Sequence, residues 1–208
     1  MNNPKRDVVI LGGGSHAKML GAILLRRGIA VKGYISKLKP SDDMVWLGQD
    51  EVLESFARDG AVFINGIGSV KNCELRTRVY LNAKASGAEF MSIQDTSAQV
   101  HFDTAMPEAI ILLTNAVAQV GCKVGANVLI NTGAILEHDV EVGPHSHIAP
   151  GAVVCGGVKI GAGVHFGAGA VALQNLHIGG GAIVGAGAVV TKNVEAGTTV
   201  VGNPARAI

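Results

Sequence analysis

The chain has 208 residues, enough for one large domain or two small ones, and its 17 basic residues nearly balance 16 acidic ones. With no block of like charge, neither a nucleic-acid partner nor a charged membrane surface is expected. Three cysteines, Cys73, Cys122 and Cys155, make no CxxC spacing and no even framework, so they read as reduced thiols of a cytoplasmic protein.

The apolar run Val8–Leu11 is a short buried strand, broken at once by Gly12-Gly13-Gly14. That is too short for a signal peptide, and no later apolar stretch is long enough for membrane insertion. Ser15 to about Arg27 has helical spacing, with Ala17, Leu20 and Leu24 on one face and Arg26-Arg27 at its end. Val31–Ile35 reads as a second strand, Gln49–Arg58 as a helix, 61–67 ("AVFINGI") as a third strand and Ser69 to about Ala85 as another helix. This βαβαβ order predicts a small parallel sheet with right-handed crossovers, an α/β Rossmann-like domain over residues 1–90.

The rest of the chain, 91–208, has a period of six. Starting at Val100, every sixth residue is apolar through Leu136, Ile148, Ile160 and Val184 to Ala196, with the register unbroken to Val201. Four residues after each comes a small or branched residue, as at Ala134, Val140, Ser146 and Ala152. Neither a helix nor a flat strand holds that period, whereas a hexapeptide β-helix does. These repeats resemble the hexapeptide acyltransferase family, whose fold is a left-handed parallel β-helix. The resemblance implies triangular coils in which residues 18 apart stack at about 4.8 Å.

In that register the aliphatic position and the residue four later face inward. His138, His145 and His147 therefore point out of the prism. Eighteen residues beyond His138 is Gly156, so the ring faces backbone whose N–H groups suit a developing oxyanion. Glu137 and Asp139 flank His138, and either carboxylate fits the role of orienting the imidazole. His147 stacks on His165, and His145 reads as a solvated residue.

The motifs "ILGGGSHAK", "INTGAILEHDVEVG", "GAGAVVTKNV" and "VGNPAR" together resemble one subgroup. It comprises acetyl-CoA-dependent N-acetyltransferases of nucleotide-linked amino sugars, with sialic-acid O-acetyltransferases close by. The resemblance implies His138 as general base, Asp139 as its partner in preference to Glu137, and His147 near the acetyl-CoA thioester. It implies Gly156 as the oxyanion donor, Asn131 near the site, Ala168 and Ala186 along the pantetheine arm, and Pro204 and Arg206 near the adenine. It also implies a homotrimer and no metal.

The loop "GGGSHA" after the first strand fits G-x-G-x-x-A, but the second strand ends in Ser36-Lys37 and not in the acid that NAD recognition uses. By resemblance the loop binds the nucleotide sugar through Gly12, Gly14, Ser15 and His16. Ser36 and Lys37 stand where the family often has an acidic pair, and Gly68 and Arg76 match a second family segment. Three other activities compete with N-acetylation: sugar O-acetylation, a zinc lyase resembling γ-class carbonic anhydrases built on His138, His147 and His165, and a non-enzymatic scaffold.

Overall fold

The computed structural model describes residues 6–39, 43–101 and 106–208. The chain divides into two units, one of Met1–Gly68 and Leu75–Met91, the other of Ser69–Glu74 and Ser92–Ile208.

In the first unit β1 (Val8–Leu11), β2 (Val31–Ile35), β3 (Trp46–Gly48), β4 (Val62–Asn65) and β5 (Glu89–Phe90) form a parallel sheet ordered β3-β2-β1-β4-β5. All four residues of β1 are buried, as suits a central strand covered on both faces. Helix α1 (Ser15–Arg26) buries Ala17, Leu20, Ile23 and Leu24, a stripe at helical spacing.

Several boundaries differ from the sequence reading. The helix expected from Gln49 is a 3-10 turn, Asp50–Val52, followed by α2 (Leu53–Arg58). The helix expected from Ser69 starts later, as α3 (Glu74–Ala85). Asn72 Oδ1 accepts the Glu74 N–H at 3.2 Å, and this local bond competes with helix upstream. Strands β3 and β5 went unpredicted because two or three residues carry no period.

The second unit is a parallel β-solenoid of two-residue strands arranged in sheets of eight, six and four strands. Pairs such as Ile135↔Val153 and His147↔His165 show the 18-residue offset. Leu136, Val142, Ile148, Val154 and Ile160 fill the interior with Ala134, Val140, Ala152 and Val158. Each buried Val, Leu or Ile contributes about 1.5–3 kcal/mol. Ser146 also faces inward, and is satisfied by donating to Gly161 O (2.9 Å) and accepting the Val164 N–H (3.1 Å). Residues 102–105 of the hexad between Val100 and Met106 lie outside the described residues.

The unbroken register does not hold to the end. Ile178 pairs with Val194 and Val184 with Val200, steps of 16 in place of 18. The corner at Lys192-Asn193 is two residues shorter, with Asn193 Oδ1 accepting the His177 N–H at 2.9 Å. Val194 therefore takes the inward place expected for Ala196, which is exposed. The chain then turns back, and Arg206–Ala207 pairs antiparallel with Thr199–Val201. Among the described residues no helix is long and apolar enough to cross a membrane.

Candidate active site

The solenoid corners repeat a backbone demand. Asn115, Gly121, Asn127, Gly133, Asp139 and His145, each six residues on, all have positive φ. Glycine takes that conformation freely, and Asn or Asp tolerate it better than other side chains. Asp139, at φ 60°, uses it to fold its side chain back onto the preceding residue. Its Oδ2 accepts from His138 Nδ1 at 2.9 Å, and both side chains are largely exposed (63% and 70%).

Sequence spacing left Glu137 and Asp139 open, and the corner conformation separates them. Among the described residues Glu137 makes no hydrogen bond to the ring. The period-six column of Gly, Asn and Asp is the sequence signal that identifies Asp139. The His138 ring lies against Gly156, where an added Cβ would stand 2.6 Å from both Cε1 and Nε2. In the ladder around it Cys155 N–H donates to Ala172 O and Gly157 N–H to His138 O, while among the described residues the Gly156 N–H joins no backbone hydrogen bond.

His147 differs from its expectation. It points out of the prism but is only 3% exposed, and His165 only 7%, because Ser69–Glu74 packs with this unit. The rings meet edge to face with centroids 5.2 Å apart. Ser69 Oγ lies 2.5 Å from His147 Nδ1 and 3.1 Å from His165 Nδ1.

The bond directions follow from the donors. Thr132 N–H donates to Asn131 Oδ1 at 2.8 Å, which turns the Asn131 amide NH2 toward His147 Nε2, 3.0 Å away. His147 Nε2 therefore accepts, and its Nδ1–H donates to Ser69 Oγ. The Ser69 hydroxyl hydrogen then goes to His165 Nδ1. Burial lowers the His165 pKa and keeps that ring neutral. Both nitrogens of His147 are thus engaged within this unit, by Ser69 and Asn131. The sequence reading places Ser69 in the family-like segment "GIGS" (66–69) but does not connect it with His147, 78 residues away.

His145, expected to be solvated, is half-buried and 3.0 Å from Asn127 Nδ2 through its Nδ1. Ala168 and Ala186 are exposed corner residues on neighbouring coils, where Gly187 N–H donates to Ala168 O at 2.8 Å. Pro204 is exposed, and so is Arg206, whose Nη1 donates to Ala205 O at 2.8 Å. Among the described residues no three His, Cys, Asp or Glu side chains converge as metal ligands. Within one chain the three histidines of the zinc reading stay apart, since His147 and His165 close on Ser69 while His138 closes on Asp139.

In the first unit a cavity of about 630 Å³ opens at the carboxyl ends of β1 and β2, lined by Gly12, Gly14, Ser36, Lys37, Lys39 and Arg78 among others. Gly14 caps α1 without any side-chain hydrogen bond, which leaves the helix start open to an anion. The expected Gly12, Gly14, Ser36 and Lys37 come together here, while Lys39 and Arg78 were missed. Ser36 is committed locally, its Oγ donating to Leu38 O at 2.6 Å.

Ser15, His16, Gly68 and Arg76 lie outside the lining. Arg76, expected at the ligand, is fully buried, and its Nη1 donates to Asn65 O (3.1 Å) and Ile67 O (2.7 Å). It braces the loop after β4. Burial, and then the charge of Arg76, push the His16 pKa down to about 4, so that ring is neutral at pH 7. Gly68 sits beside it, with an added Cβ 3.6 Å from the His16 Cβ.

The bacterial transferase hexapeptide family (six repeats) matches residues 121–156. Comparison with curated protein sequences found no match. Among solved structures, the acetyltransferase domain of PglB from Neisseria gonorrhoeae is 26% identical with a TM-score of 0.88, over 98% of this chain and all of that one. It is also known in complex with acetyl coenzyme A. A perosamine N-acetyltransferase from Caulobacter crescentus, in complex with CoA and GDP-perosamine, is 25% identical with a TM-score of 0.86, over 97% of this chain and 96% of that one. WeeI from Acinetobacter baumannii is 25% identical with a TM-score of 0.83, over 98% of this chain and all of that one.

Proposed function

We propose that this hexapeptide-repeat acetyltransferase carries an acetyl group from acetyl-CoA to the amine of a nucleotide-linked 4-amino-4,6-dideoxy sugar, for bacterial surface-glycan synthesis. The observation that carries the reading is the 2.9 Å bond from His138 Nδ1 to Asp139 Oδ2 with Nε2 laid against Gly156. Whole-length likeness to a perosamine N-acetyltransferase supports the class of acceptor.

With Nδ1–H bonded to Asp139, the lone pair of a neutral His138 lies on Nε2. The sugar amine attacks the thioester carbonyl, and a C–N bond forms. His138 Nε2 takes the proton that the nitrogen sheds, and Asp139 stabilises the resulting imidazolium. The carbonyl oxygen gains negative charge, and we assign the Gly156 N–H as the donor that meets it. The C–S bond then breaks, and CoA leaves as a thiolate that is protonated to the free thiol.

We read residues 1–90 as a Rossmann-like nucleotide-sugar domain and 91–208 as the transfer domain. In the first, the open helix start and the side chains of Lys37, Lys39 and Arg78 suit a diphosphate. The assembly we infer is a homotrimer, which light scattering tests.

The deciding assay follows free thiol release from acetyl-CoA with a panel of UDP- and GDP-linked 4-amino-4,6-dideoxyhexoses. At least one is expected to be acetylated on nitrogen, and His138→Ala is expected to cost about 10²–10⁴-fold in kcat. Near-normal turnover in that variant removes His138 as the base.

A further inference from the structure

We propose that Gly121 is a positioning residue for the His138–Asp139 pair, its missing side chain leaving the space in which the Asp139 carboxylate lies. The proposal rests on the acetyl-transfer reading above. The pair spans three coils. His138 leans onto Gly156 in the following coil, and Asp139 leans onto Gly121 in the preceding one. A Cβ added to Gly121 would fall on Asp139 Oδ1 and stand 3.3 Å from its Cγ and 3.4 Å from its backbone nitrogen. The Asp139 backbone is itself anchored there, its N–H donating to Val120 O at 3.1 Å. A methyl group at 121 is relieved most directly by turning the carboxylate, which carries Oδ2 away from Nδ1.

The left-handed corner alone does not explain this contact. Gly121 has φ +76°, but Gly133, Gly151 and Gly181 have φ of +64° to +69° and nothing within 4 Å of an added Cβ. The same approach recurs at Gly157, under Asn175, where the residue before the Asn is Gln174 and no histidine is held. At Gly121 the space serves the acid of the pair.

The test compares Gly121→Ala with Gly181→Ala in the full-length protein. Both place alanine at positive φ, but only the first meets Asp139. Gly121→Ala is expected to lower kcat about 10–10²-fold, because a small misplacement of a catalytic group has that cost, with the KM for acetyl-CoA changed less than about twofold. Gly181→Ala is expected to keep kcat within about twofold of the parent. Long-range ¹H–¹⁵N spectra should show His138 as the Nδ1–H tautomer in the parent and in Gly181→Ala, and as a mixture in Gly121→Ala.

Equal kcat in the two variants, or an unchanged His138 tautomer in Gly121→Ala, overturns the proposal. A parent protein that acetylates no sugar nucleotide overturns the acetyl-transfer reading instead, and the spectra still decide the role of Gly121. If Gly121→Ala does not fold, Asp139→Ala is added to remove the clash: a folded double variant supports the contact, and an unfolded one overturns it.

Discussion

Two sets of histidines leave the same solenoid and end in opposite environments. His138 is exposed, bonded to one carboxylate and laid against a glycine. His147 and His165 are buried with Ser69–Glu74 in the same unit, and they bond neutral partners, Asn131 and the Ser69 hydroxyl. A carboxylate beside an open ring favours a protonated intermediate state, whereas neutral partners around a buried ring hold one tautomer. Pointing out of the prism is therefore not enough to expose a histidine, because the cover over it decides.

The contrast breaks most sharply by deletion. His138→Ala should cost about 10²–10⁴-fold in kcat while the urea midpoint barely moves, since the ring is exposed. His147→Ala should do the reverse, destabilising by about 2–5 kcal/mol in urea unfolding, through the cavity and the stranded Asn131 and Ser69 groups. A large kcat loss with unchanged stability in His147→Ala would erase the distinction. Ser69→Ala removes one hydroxyl between two buried rings and should cost about 1–3 kcal/mol, with both imidazole tautomers perturbed in ¹⁵N spectra.

The mildest expected effect is that of acid. His165 and His16 have lowered pKa values in the folded chain, the latter about 4, so the unfolded chain binds protons first. Their contribution to stability is complete above the unfolded value of about 6.5 and is lost as pH falls toward the folded values. The urea midpoint should stay level from pH 8 to 7 and decline below about 6.5, less steeply in His16→Gln. A midpoint that rises on acidification contradicts buried neutral histidines.

The six-residue period made the solenoid, its inward positions and the His138–Gly156 stacking legible, because each depends only on spacing along a regular coil. The column of corner residues also held the choice of Asp139 over Glu137, through the left-handed backbone that Asp tolerates. Burial of His147 was not legible, because it depends on Ser69, which belongs to no repeat. The packing of Arg76 was illegible for a related reason. Sequence marks a cation near a loop, but only packing shows that its Nη1 donates to the carbonyls of Asn65 and Ile67. The short final corner at Lys192-Asn193 broke the period where no apolar residue signalled the change.

That final turn-back has a consequence for solubility. A stack of parallel coils offers, at its last coil, strands with open hydrogen-bonding groups, the template from which filaments grow. Here Val189 N–H donates to Gly202 O, Ala205 N–H donates to Val189 O, and Arg206–Ala207 runs antiparallel along Thr199–Val201. The direction of that pairing is the reverse of the parallel ladders in the rest of the solenoid. By lying along that edge, Arg206–Ala207 covers backbone groups of Thr199–Val201 that a further coil would pair with.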